Sequence, residues 1–230
     1  MTQRVALPFF GHDPLPWARP GLSIGGSGNN FTEWLNQNDS TAGEPKIAVA
    51  VDGADGLPLA IRAGMDTTNY CITGLMRPIG SPPWTITSAF AVFANHNGGG
   101  FGVPIFLYDG TKIHSLYWGV TTGVILGVKI GEWSSITPGP TGATLLGNDG
   151  AAFMINDYFA WFRVVNNGST IRYLISPDGF QFEEIYSEGV NDFLGAVTHV
   201  GFGVDRLVNG AGAPVPLPVV NGILWGWIET

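Results

Sequence analysis

The sequence predicts an all-β domain: a two-sheet antiparallel sandwich of the jelly-roll type, preceded by an extended N-terminal arm. Three observations predict it. Apolar residues recur with period 2 in many short runs, the signature of strands with one face buried. Turn dipeptides separate these runs, Asp-Gly at Asp52, Asp55, Asp109, Asp149 and Asp178 and Asn-Gly at Asn97, Asn167, Asn209 and Asn221. Asn, Asp and Gly tolerate the positive φ that tight hairpins require. Finally, no stretch of helical length carries a convincing 3.6-residue period, so helix is expected to be close to absent.

The arm comes first. Pro8, Pro14, Pro16 and Pro20 hold residues 1–28 extended, and Gly25-Gly26-Ser27-Gly28 makes a flexible joint. Phe9, Phe10, Leu15 and Trp17 are more apolar than a linker needs, so the arm is expected to dock on a partner. The alternative is that it covers an edge of its own sheet. Residues 29–230 form the sandwich. Strands are expected near 46–51, 57–63, 84–94, 101–108, 111–118, 122–130, 158–165, 170–175, 180–186, 197–204 and 219–228. In 84–94 one face carries Trp84, Ile86, Phe90 and Val92, and the other Thr85, Thr87, Ala89 and Ala91.

Bulk properties exclude several roles. The net charge is −8 with only 10 basic residues, scattered along the chain, whereas nucleic-acid binding draws its affinity from clustered Lys and Arg. An anionic membrane surface is disfavoured for the same reason, and no apolar run approaches the ~20 residues of a membrane helix. Charged residues are 12% of the chain, about half the usual share. Such a surface depends on neutral polar groups, as in extracellular or assembled β-proteins. Met1 to Pro8 lacks the apolar core of a secretory signal, so synthesis in a cytoplasm is expected. The single cysteine, Cys71, cannot form an intramolecular disulfide and reads as a small buried hydrophobe.

The most informative segment is Tyr158 to Tyr186, YFAWFRVVNNGSTIRYLISPDGFQFEEIY. It reads as three strands joined by turns at Asn167-Gly168 and Ser176-Pro177-Asp178-Gly179. Trp161, Phe162, Tyr173, Ile175, Phe182 and Ile185 are its apolar display. The pattern aromatic-Trp-Phe-Arg-Val, then Asn-Gly, then Tyr-x-x-Ser-Pro-Asp-Gly-x-x-Phe resembles the central meander of concanavalin A-like lectin/glucanase domains, especially those of carbohydrate-active modules and phage virion proteins. Phe31-Thr32-Glu33-Trp34 resembles the opening strand of that family, and Val197–Val204 the strand after the meander. The resemblance implies the sandwich fold. It implies little about activity, because this fold hosts lectins, hydrolases and structural domains alike.

The glucanases of this fold use a Glu-x-Asp-x-Glu strand, whose period-2 spacing puts three acids on one face. No such triplet occurs here. Glu183 and Glu184 are adjacent, so on a strand they point to opposite faces. Glu132 lies beside Trp133 without an identifiable partner acid. Hydrolysis is therefore the minor alternative, and no catalytic residue is assigned. No metal site or cofactor is expected: Asp52-Gly53-Ala54-Asp55-Gly56 offers at most a weak calcium site, and turn chemistry explains it better. His12, His96, His114 and His199 lack zinc spacing.

Sugar binding asks for aromatic rings beside polar groups. In 111–118 one face carries Lys112, His114 and Trp118. In 122–133 one face carries Lys129 and Trp133, opposite Val124, Leu126, Val128 and Ile130. If the two strands pair, Trp118, Trp133, His114 and Lys129 make a candidate glycan patch. The plainer alternative is that both Trp rings cover the edge of the core. The expectation is a non-enzymatic virion structural or attachment protein that recognises a host-surface glycan, homo-oligomeric, and joined to other virion proteins through its arm. A glucanase-like hydrolase and a purely structural decoration domain are the alternatives.

Overall fold

The computed structural model describes residues 31, 33–35, 38–39, 46–47, 49–51, 59–64, 72–95, 101–121, 125–134, 142–146, 159–205 and 219–230. Every regular element among them is a strand: β1 (Glu33–Leu35), β2 (Asn38–Asp39), β3 (Lys46–Ile47), β4 (Val49–Val51), β5 (Leu59–Gly64), β6 (Ile72–Pro78), β7 (Trp84–Asn95), β8 (Phe101–Tyr108), β9 (Ile113–Thr121), β10 (Ile125–Trp133), β11 (Gly142–Leu146), β12 (Phe159–Asn166), β13 (Thr170–Ser176), β14 (Glu183–Gly189), β15 (His199–Asp205) and β16 (Val219–Glu229). They form two seven-stranded antiparallel sheets and a short β2–β3 pair. The first sheet runs β1-β6-β15-β8-β9-β10-β11 and the second β14-β13-β12-β7-β16-β5-β4. The arm, with Phe9, Phe10, Leu15 and Trp17, lies outside the described residues, as do Asp52, Asp55 and Cys71.

Alternation along the strands builds the core between the sheets. The first sheet contributes Leu75, Ile105, Leu107, Leu116, Val128 and Phe202, and the second Ile61, Ile86, Phe162, Val164, Ile171 and Leu224. Fully burying such a side chain is worth about 1.5–3 kcal/mol. The outer face of the first sheet is apolar as well. Leu35, Ile72, Met76, Phe106, Tyr108, Ile113 and Trp133 form a second buried cluster there. Consecutive residues 72–76, 105–108 and 113–116 are all buried, so this sheet is shielded on both faces. The Phe106 ring lies where Gly201 leaves room: a Cβ at Gly201 would collide with the ring tip.

The meander forms as the turn chemistry dictates. At Asn167-Gly168 the Asn167 carboxamide oxygen accepts the Ser169 and Thr170 amides at 2.9 and 2.8 Å, with Gly168 at φ +92°. At the second turn Ser176 Oγ accepts the Gly179 amide at 2.8 Å, and Asp178 Oδ1 accepts the amides of Phe180 and Gln181 at 2.8 and 3.0 Å. Those last two bonds extend the turn. β14 therefore starts at Glu183 rather than near 180 and runs on to Gly189, which brings Glu188 inside a strand. Asn221-Gly222 makes no turn. It lies inside β16, paired on one side with Phe93 and Val92 and on the other with Arg62 and Ile61, because two flanking ladders outweigh local turn preference.

Candidate functional site: a His-Glu-Glu cluster between the sheets

β9 and β10 pair antiparallel, with Glu132 opposite His114 and Trp133 opposite Ile113. This is the pairing that the expected aromatic-polar patch needs. Alternation then separates its members. His114 shares a face with Leu116 and points between the sheets, fully buried. Trp133 belongs to the outer face, is 6% exposed, and donates its indole N–H to Ser115 Oγ at 3.1 Å. His114 and Trp133 thus lie on opposite sides of one sheet, which corrects the expectation of a shared face. Trp118 stands opposite Val128 and Lys129 opposite Tyr117 in the register, and the side chains of both lie outside the described set.

What gathers round His114 comes from the second sheet. The β9–β10 edge of the first sheet lies over β13 and β14, and β13 pairs with β14 so that Tyr186 stands opposite Tyr173 and Glu188 opposite Ile171. The Tyr173 hydroxyl is hydrogen-bonded to His114 Nδ1, and the two rings are 4.8 Å apart. His114 Nε2 is 3.6 Å from Glu188 Oε1, too long for a hydrogen bond. The Tyr186 hydroxyl reaches Glu188 Oε2 at 3.5 Å. Glu132 comes in from β10, and one donor atom each of His114, Glu132 and Glu188 lies within 4.8 Å of the others. Neither His114 Nε2 nor Glu188 Oε1 has a hydrogen-bond partner, although both are buried.

Burial sets the protonation of this cluster. It disfavours the imidazolium and lowers His114 to about 3. It pushes Glu188 up to about 7, helped by the negative charges of Glu132 and Asp192. Tyr186 rises to about 12 through burial and the Glu188 and Glu132 charges, and burial raises Tyr173 well above the usual tyrosine range. Burial also raises Glu132, with Lys112 acting against it. His114 and Glu188, although close, are therefore not a charged pair at neutral pH: the imidazole is neutral. Lys112 spends its ammonium on the Phe193 carbonyl at 2.8 Å and lies 5.0 Å from the Phe193 ring centroid.

His114 and Glu132 stand out in the sequence, but Glu188, Tyr173 and Tyr186 do not stand out as their partners. Glu188 lay beyond the expected end of its strand, and its link to Glu132 crosses from one sheet to the other.

No protein family matches the sequence, and no curated protein does. Solved structures resemble the fold. A functionally unknown protein from Saccharomyces cerevisiae superposes with a TM-score of 0.52 at 12% identity, covering 86% of this chain and 95% of that one. A Bacillus licheniformis β-glucanase superposes with a TM-score of 0.50 at 9% identity, covering 88% and 94%. At such identities the likeness is one of fold: this chain is a two-sheet jelly-roll sandwich, as that β-glucanase is.

Proposed function

We propose that this chain is a non-enzymatic sandwich protein of a virion, serving structure and attachment, with a host-surface glycan as its ligand. The observation that carries the non-enzymatic part is where the acids lie. Polysaccharide hydrolysis needs two carboxyl groups flanking a bound bond, about 5–5.5 Å or 6.5–9.5 Å apart. Donor atoms of Glu132 and Glu188 lie within 4.8 Å of each other, but Glu188 and the neighbouring His114 are buried between the sheets. Among the described residues, the outer face of the first sheet is apolar and buried. The assembly role draws on the low surface charge and the proline-rich arm with its aromatic anchors. The glycan role draws on a fold that hosts many sugar binders.

The decisive experiment pairs a polysaccharide hydrolysis panel with a glycan array. No turnover and a saturable glycan signal, weakened by Trp118→Ala or Lys129→Ala in a still-folded chain, are expected. Turnover abolished by both Glu132→Gln and Glu188→Gln would establish hydrolysis instead. Detection of the polypeptide by mass spectrometry in purified particles tests the virion setting.

A further inference from the structure

We propose that His114 Nε2, Glu188 Oε1 and one carboxylate oxygen of Glu132 form a three-ligand site for a zinc-class divalent metal ion that ties the two sheets together. Two buried polar atoms here lack hydrogen-bond partners, His114 Nε2 and Glu188 Oε1. Orphaned buried donors and acceptors are rare and costly, and these two point into the same small space. Their separation of 3.6 Å is too long for a hydrogen bond. It suits two ligands of one ion, since bonds of about 2.0–2.2 Å in tetrahedral geometry set neighbouring ligands roughly 3.3–3.6 Å apart. Glu132 brings the third donor within 4.8 Å of both. Its side chain is only partly buried, so it has room to swing in and the ion has a way to enter.

The surroundings are those of a ligated imidazole. A histidine that binds metal through Nε2 carries its proton on Nδ1 and donates it to an orienting group. Here the Tyr173 hydroxyl oxygen occupies that position. Tyr186 approaches the other oxygen of Glu188 at 3.5 Å, so both ligands have a tyrosine behind them. Asp192 adds a further negative charge felt by Glu188, and the nearby cation, Lys112, is held on the Phe193 carbonyl. One imidazole with two carboxylates favours zinc-class ions over calcium or magnesium, which take oxygen donors in larger number. His114 and Glu132 stand on adjacent strands of one sheet, and Glu188 on the edge strand of the other. The ion would therefore act as a cross-sheet tie, leaving at least one coordination position for water.

The test uses the full chain, stripped with chelator and titrated with Zn²⁺ and, separately, with Co²⁺ and Ca²⁺. One Zn²⁺ per chain is expected, with a rise in melting temperature on the order of 5 °C at saturating ion. The visible spectrum of the Co²⁺ form should report a low-coordinate nitrogen-oxygen site. Glu132→Gln and Glu188→Gln should each weaken Zn²⁺ binding by more than tenfold. His114→Ala should abolish it, but that change also empties a core position and can impair folding. Glu132→Gln leaves the core intact and keeps the test sound. Absence of saturable uptake overturns the proposal. So does Zn²⁺ binding that survives both glutamine variants, which would place the ion elsewhere, for example at His199 and Glu33, 3.4 Å apart. Preference for Ca²⁺ over Zn²⁺ overturns the metal class.

Discussion

The two ends of the space between the sheets are filled in opposite ways. At the β1–β16 end Phe31 meets Trp227 edge-on, with ring centroids 4.9 Å apart, and Ile61 and Leu224 belong to the same core. The described charged groups there stay at the rim, while Ser88, opposite Trp227 on β7, is buried with its Oγ unpartnered. Trp227 donates its indole N–H to Glu229 at 2.7 Å, and Glu229 meets Arg77 at 3.4 Å. At the β9–β14 end the interior itself is polar: His114, Tyr173, Tyr186 and Glu188 stand where apolar side chains would serve the fold. Apolar burial dominates the first end, with one small hydroxyl, Ser88 Oγ, left unpartnered. The second is more costly to fold, because each unpaired buried polar atom costs about 1–3 kcal/mol. That contrast separates residues kept for packing from residues that want a ligand.

The largest expected effect lies at the apolar end. Phe31→Ala removes a ring that is 1% exposed and should lower stability by about 3–5 kcal/mol, read from urea unfolding. A loss under about 1 kcal/mol would mean that Phe31 is not a core residue and that this end is looser than its contacts imply.

At the polar end, Tyr173→Phe keeps the ring and deletes only the hydroxyl that faces His114 Nδ1. It should cost about 1–3 kcal/mol in chelator, the penalty of leaving a buried donor or acceptor unmet. If the change were neutral or stabilising, the Tyr173–His114 bond would contribute nothing to the fold and the contrast between the two ends would weaken.

How much of this contrast was legible in the sequence follows from the range of each signal. Period-2 runs and turn dipeptides are local, and they located most strands within a few residues. β6 has no such signal, because ITGLMRP is buried on both faces and shows no alternation. β14 starts later than the pattern predicts because side-chain bonds of Asp178 lengthen the preceding turn. Asn221-Gly222 counts as a turn dipeptide yet falls inside the strand expected at 219–228, and the strand prevails because ladders flank it on both sides. The candidate site suffered most. Its members come from β9, β10, β13 and β14, and only the stacking of one sheet on the other joins Glu132 to Glu188. The face of His114 was misjudged for a related reason: alternation shows that 113 and 114 point apart, but not which of them points inward.

The smallest expected effect concerns the rim beside the polar end, where Asp109 plays the part that Glu229 plays at the other. Its Oδ1 accepts the amides of Thr111 and Lys112 at 2.8 and 2.7 Å, and its Oδ2 accepts that of Gly195 at 2.9 Å. The carboxylate thereby holds the β8–β9 turn against the loop before β15. Burial acts to raise its pKa, but the backbone amides and the Lys112 charge outweigh it, so Asp109 lies below the ordinary 3.8. A carboxyl held lower in the folded chain than in the unfolded one stabilises the fold at pH values above its ordinary pKa. That contribution is lost as pH falls through this range. Asp109→Ala should therefore cost about 1 kcal/mol at neutral pH, a modest value because the group is only partly buried and screened by solvent. The gap between wild type and variant should narrow below about pH 4. Urea unfolding of both proteins at pH 7 and pH 3 measures it. A gap that stays constant would show that the Asp109 amide bonds do not depend on its charge, leaving the polar end pinned by geometry alone.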